Sequence, residues 1–359
     1  MLRLERRPEP SRLFTLISPL LALTITLLFG VGLFVLLGKD PLRGLEVFFY
    51  EPIKNARAIG ELSIKAAPLL LIGLGLSVCF RANVWNIGAE GQFILGSIGA
   101  SFVALHSDAS SSAVTWLLAL FAGTLTGAAW AGLTALLRDR YNASEILVSL
   151  MLVYVAEQLL SWLVHGPWKD PNGYNFPQTI TFLDPVRVPR LLDGSRANWG
   201  TVLALLSVPG FWLFLQRTHA GYRLSVSGLS ARAARYAGFS VRGTLWTALL
   251  ASGAMAGLAG ALEVTGPVGQ LTTHVPLGYG FAAIIVAFVG RLSPVGVLFS
   301  SILMSMFYIG GELAQSRLGL PKAVTGVFQG LLLFSLLSCD TFIQHRVRLV
   351  LPQRAGAAR

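Results

Sequence analysis

The densest polar run in an otherwise apolar chain is Arg81-Ala82-Asn83-Val84-Trp85-Asn86-Ile87-Gly88-Ala89-Glu90-Gly91-Gln92. Amides and a carboxylate packed this closely carry hydrogen bonds that lipid cannot meet, so they face protein or cavity water. Gly88 and Gly91 allow close backbone approach, and Asn83 or Asn86 can cap the helix that follows. Two readings stand side by side. One is a tightly packed helix entry; the other is a gate or the lining of a solute pathway. Three further carboxylates, Glu145, Glu157 and Glu263, fall within or at the edge of apolar stretches. A charge at the bilayer centre costs about 2.5–3.5 kcal/mol on insertion scales. Each of them is therefore either a pathway candidate or a hydrated, neutralised residue near a span end.

Other chemistry is missing from the sequence. There is no G-x-x-x-x-G-K-[ST] phosphate loop, because Gly38-Lys39 lacks both the upstream glycine and the hydroxyl. No G-x-S-x-G, no H-E-x-x-H and no histidine–carboxylate cluster at metal spacing occurs. His106, His165, His219, His274 and His345 lie at loops or span ends, where a solvated imidazole is the default. Cys79 and Cys339 make neither a disulfide framework nor a C-x-x-C pair. The chain is not expected to be an enzyme or to bind a cofactor or metal itself. Nor is a proton or sodium relay evident, since Lys65 and Lys322 sit near span ends where they can snorkel.

These residues are carried by a chain that cannot be a soluble domain. Of 359 residues, 54% are hydrophobic and 13% charged, with a mean hydropathy of +0.65. A polar skin needs roughly 25% charged residues. The fold class is an all-α integral membrane protein. With about 20 apolar residues needed per crossing, ten segments qualify: 13–37, 62–80, 86–105, 113–137, 144–165, 199–216, 244–265, 278–290, 294–313 and 322–338. The eighth is short, and the turn Gly290–Pro294 can make it half of a broken pair. No run alternates as a membrane β-strand would. Residues 13–37 are too long for a signal-peptide core and are read as an uncleaved anchor.

Basic residues set the orientation. With the N-terminus cytoplasmic, segments 1–12, 81–85, 138–143, 217–243, the Arg291 turn and 339–359 are inside, with 17 Lys and Arg against 4 acids. Segments 39–61, 106–112, 166–198, 266–277 and 312–321 are outside, with 9 of each. This is the positive-inside asymmetry, and it explains the net charge of +11 without nucleic acid. The chain then reads as a cytoplasmic segment 1–12, a transmembrane domain 13–338 and a basic cytoplasmic tail 339–359. The external loop 166–198 is a solvated connector or a docking surface. The cytoplasmic loop 217–243 holds five arginines and no acid. In it, Ser230 can cap a short helix over 231–237 that Gly238 ends.

Several blocks resemble the ABC-importer permeases for branched-chain amino acids, simple sugars and nucleosides. They are the run Arg81–Gln92, then Tyr141-Asn-Ala-Ser-Glu-Ile-Leu-Val-Ser-Leu-Met151 and Gly228-Leu-Ser-Ala-Arg-Ala-Ala-Arg-Tyr-Ala-Gly238. Gly253 to Glu263, Leu277–Phe281 and Leu292–Gly296 continue the match, which covers roughly 60–340. The form Trp-Asn-Ile-Gly-Ala-Glu-Gly-Gln is most similar to the longer permease subunit of purine-nucleoside importers. The resemblance implies a multi-pass protein of the bacterial inner membrane with both termini cytoplasmic. It implies a second, paralogous permease, a cytoplasmic ATPase carrying ATP and Mg, and an external substrate-binding lipoprotein. It makes Gly228, Arg232, Ala233, Ala234, Arg235 and Gly238 the ATPase-coupling candidates, although Arg232 stands where an acid is common. A nucleoside base would suit Trp85 or Tyr154, and ribose hydroxyls would suit Asn86, Glu90 or Gln92. Asn83, Glu145 and Glu263 complete the pathway candidates, each with a packing role as its alternative. A simple sugar or a branched-chain amino acid is the alternative solute.

Overall fold

The computed structural model describes residues 2–6, 12–108, 110–112, 114–191 and 195–349. Thirteen α-helices lie among them: α1 Arg12–Leu36, α2 Pro41–Leu45, α3 Ala56–Arg81, α4 Ala89–Leu105, α5 Thr115–Tyr141, α6 Glu145–His165, α7 Trp199–Arg217, α8 His219–Leu229, α9 Ala231–Tyr236, α10 Val241–Glu263, α11 Tyr279–Val289, α12 Pro294–Leu318 and α13 Ala323–Gln344. Eight helices are long and apolar enough to cross a membrane, while α4 and α11 are apolar but shorter. One element departs from an all-helical chain: strand β1, Leu2–Arg6, pairs antiparallel with β2, His345–Leu349. The segment expected as the basic tail, 339–359, therefore begins as helix and strand. The chain divides into two compact units, residues 51–309 and the pair 1–50 with 310–359.

In the larger unit, burial sorts the helices by environment. Of the most apolar window of α3, 89% is buried, against 33%, 28% and 22% for α5, α6 and α7. An apolar helix buried all round is a core span; one buried on a single stripe shows its other faces to lipid or a partner. Helices α4, α5 and α10 meet through glycines. A Cβ at Gly96 would fall on the Gly257 backbone, and one at Gly257 would lie 2.9 Å from the Gly127 Cα. Lipid tails are as apolar as leucine, so membrane helices gain by close backbone approach rather than by hydrophobic burial. The spacings Gly123-x-x-x-Gly127 and Gly253-x-x-x-Gly257 provide it.

Loops of this unit gather at the two ends of α10. Beyond its C-terminal end, segment 264–272 binds the long loop before α7. The N–H of Thr179 donates to the Leu271 carbonyl (3.0 Å), that of Phe182 to Gly269 (2.8 Å) and that of Val188 to Thr265 (3.0 Å). At its N-terminal end, residues 82–84, the end of α5, the start of α6 and the α8–α9 junction surround one cavity. The Arg291 turn belongs to this second set, because Arg81 Nε donates to the Leu292 carbonyl at 3.0 Å.

In the smaller unit, α1 packs on α13 around Phe34, Phe48 and Phe328, whose ring centroids lie 4.8–5.9 Å apart. Ser18 Oγ donates to Asp340 at 2.5 Å. The β1–β2 ladder places residues 2–6 beside residues 345–349.

Candidate translocation and coupling site

The polar run is a sharp re-entry between two helices. Arg81 ends α3, Asn83 takes a left-handed φ of +56°, and the Val84 N–H returns to the Cys79 carbonyl at 2.9 Å. Asparagine tolerates this region because its short polar side chain bonds locally. Neither asparagine caps α4; its N-cap is Gly88, without a side-chain bond. Asn86 instead forms a reciprocal amide pair with Gln92. Nδ2 donates to Gln92 Oε1 at 2.9 Å, and Gln92 Nε2 donates to Asn86 Oδ1 at 3.0 Å. Asn86 Nδ2 also donates to Ser252 Oγ of α10 at 3.0 Å, and the Ile87 N–H donates to Ser149 Oγ of α6. The run thus ties α4 to both α6 and α10.

Glu90 is 1% exposed and binds the start of α11. Its Oε1 accepts from the Gly278 N–H at 2.9 Å and its Oε2 from the Gly280 N–H at 2.5 Å. A Cβ at Gly280 would fall on the Glu90 backbone, so glycine is what lets the two helix starts abut. The carboxylate thereby meets the positive ends of two helices, its own α4 and α11. First-turn N–H groups lack intrahelical partners and favour a negative charge. The Lys65 ammonium lies 5.9 Å from the centroid of Tyr279, the first residue of α11.

The remaining candidates disperse. Trp85 is 39% exposed and stacks beside Phe288 at 6.1 Å, with Phe80 at 5.4 Å. Tyr154 is exposed on α6, and Glu157 is half-buried one turn along. Glu145 is salt-bridged to Arg138 at 3.2 Å, and Glu263 is buried at the end of α10. Asn83 and Glu145 line a cavity of about 710 Å³ together with Gly228 and Arg235. Pathway candidates and coupling candidates therefore share a wall at this end of the unit.

In the coupling segment, Ser230 accepts from the Ala233 N–H at 3.2 Å and caps α9. Gly238 ends it with φ +79°, and the Phe239 N–H returns to the Ala234 carbonyl at 2.9 Å. The helix stops at Tyr236, one residue short of the expected 237. Arg232, Ala233, Arg235 and Gly238 are exposed, as are Leu229 and, at 97%, Tyr236. Ala234 is fully buried within the chain. Of the two small residues expected to seat against a partner, only Ala233 is presented.

Local patterning could not find the Gly278, Gly280, Ser149 and Ser252 partners, because they are 62–190 residues distant in sequence. The one advance signal was Gly-Tyr-Gly ahead of a short apolar run, which marks a helix beginning abruptly. Asp139 was missed as well; its Oδ2 accepts from Arg242 Nε at 2.6 Å and from Trp246 Nε1 at 3.1 Å.

Comparison with known proteins identifies the architecture. A family model described as the permease component of a branched-chain amino acid transport system matches residues 58–337. A glucose ABC transporter permease protein of Haloferax volcanii is 31% identical over 95% of this chain and 92% of its own length. A guanosine ABC transporter permease protein of Bacillus subtilis is 28% identical over 88% and 91%. A nucleoside ABC transporter permease protein of Lactococcus lactis is 26% identical over 88% and 89%. This multi-pass membrane protein belongs to the family of permease components of the branched-chain amino acid transport system type.

Proposed function

We propose that the chain is the larger permease of an ATP-driven importer of nucleosides, with ten spans and both termini in the cytoplasm of a bacterial inner membrane. The observation that carries the coupling assignment is α9, a capped six-residue helix that exposes Arg232, Ala233, Arg235 and Tyr236, with Leu229 at the end of α8 exposed beside it. Such a face, exposed and flanked by arginines, suits a groove on a partner ATPase, which would hold ATP and Mg. A second permease would complete the pathway in the bilayer, and an external lipoprotein would deliver solute to the loop 166–198. Two relatives named for guanosine and nucleosides, together with Trp85 standing half-exposed, support the nucleoside reading. The glucose permease relative supports a simple sugar as the second reading. Because Asn86 and Gln92 bind one another, Trp85 is the better solute contact in this conformation.

Co-purifying the complex and titrating its external receptor with guanosine and with glucose separates the two. Guanosine binding with no glucose binding supports the proposal; the reverse overturns it. Uptake by the isolated chain in liposomes, collapsing with an ionophore, would instead show an ion-coupled carrier.

A further inference from the structure

Helix α11 has 11 residues. At 1.5 Å per residue it is about 16 Å long, half of what the roughly 30 Å hydrocarbon core requires. One end is a tight turn in which Arg291 and Leu292 both take left-handed φ, +57° and +53°. That turn is tied to the end of α3 by Arg81 Nε on the Leu292 carbonyl. The Arg81 carbonyl in turn lies where a Cβ of Gly228 would be, at the last turn of α8 just before α9. The other end of α11, about 16 Å along the helix, is held by the two N–H bonds to Glu90. A continuous line of contacts therefore runs from the exposed α9 through Gly228, Arg81 and Leu292 to α11 and Glu90.

We propose that Glu90 is a positioning residue for transport: it fastens the deep end of α11, and α11 carries the movement of α9 to the membrane interior. The inference rests on α9 being the ATPase contact. A helix start inside the membrane must have its N–H groups met by protein or cavity water, and here one carboxylate meets two of them. On this proposal the two bonds form and break together, so that α11 is either fastened or released. Contiguity alone does not establish coupling; an element with two states that both sites bias does.

The test uses the whole complex with its co-purified ATPase, Cys79 and Cys339 replaced by alanine, and one reporter, Ala283→Cys, buried on α11. N-ethylmaleimide labelling is compared without nucleotide and after trapping with ATP and vanadate. With Glu90 intact, labelling should be slow without nucleotide and accelerate about tenfold on trapping, the scale of ordinary coupling free energies. Glu90→Gln keeps one acceptor and turns an NH₂ toward the other N–H, so labelling should be fast in both states. Glu90→Asp should restore part of the protection. Nucleotide-independent labelling with Glu90 present overturns the inference, as does wild-type behaviour in the Gln variant. If Glu90→Gln fails to assemble, Glu90→Asp decides: labelling identical to that with Glu90 in both states overturns the inference. Ala233→Glu distinguishes the two failures. If α9 is the ATPase contact, this change removes the ATPase from the complex whatever α11 does.

Discussion

Placing an isolated carboxylate at membrane depth costs about 2.5–3.5 kcal/mol, and Glu90 offsets this with two backbone N–H donors at converging helix starts rather than with a cation. The same accounting covers Asn86 and Gln92, whose amides satisfy each other and Ser252. Removing one partner from such a set leaves the other desolvated and unpaired, at roughly 1–3 kcal/mol. Asn86→Ala should therefore lower the melting temperature of the detergent-solubilised protein by several degrees. Glu145→Gln breaks a pair whose arginine and glutamate side chains are 38% and 14% exposed at the edge of the cavity, and pairs open to solvent contribute up to about 1 kcal/mol. It should leave melting nearly unchanged. Trp85→Ala should raise the half-saturating guanosine concentration for uptake without lowering melting comparably, since the residue is already 39% exposed. That these residues are polar and crowded was legible in the sequence. Their partners were not, because a hydrogen bond between residues 190 positions apart leaves no local pattern.

Helices in this protein are held by shape more than by apolarity. Gly257 packs against Gly96, Gly123 and Gly127 with no room for a Cβ. Overpacking of a tight core costs typically about 1–3 kcal/mol, and here backbone rather than flexible side chain would have to yield. Gly257→Leu should reduce the yield of monodisperse protein on size-exclusion chromatography, whereas Gly326→Leu, whose Cβ position is open, should not. Helix α9 separates two superficially equal alanines. Ala233→Glu adds a charge to an exposed face and should abolish ATPase association while melting is retained. Ala234→Glu places an unpaired charge in a fully buried site and should lower melting itself, so it reports on folding rather than on docking. The cap Ser230 and the stop Gly238 were readable in advance, because capping needs only residues within one turn. Which alanine turns inward was not.

For the whole molecule, sidedness is the property on which function depends. Tyr236 and Tyr174 are both almost fully exposed, one on α9 and one in the loop before α7. In right-side-out vesicles of a cysteine-free background, Tyr174→Cys should react with an impermeant maleimide and Tyr236→Cys only after permeabilisation. The opposite pattern would invert the orientation and remove the ATPase from α9. The β1–β2 ladder makes a further expectation measurable, since the amides of residues 2–6 and 345–349 must gain and lose hydrogen-exchange protection together.

Composition and hydrophobic run length determined by themselves that this chain lives in a membrane as helices, since the hydrocarbon core imposes one length and one demand for internal hydrogen bonds on every span. Block order revealed the permease family, and local caps revealed α9. The tertiary structure alone decided that α4 and α11 are short, that their starts meet at Glu90, and that Ala234 faces inward. Those outcomes depend on which helix surfaces pack together. Packing is settled by backbone clearance between elements far apart in the chain, a quantity that no window of sequence contains.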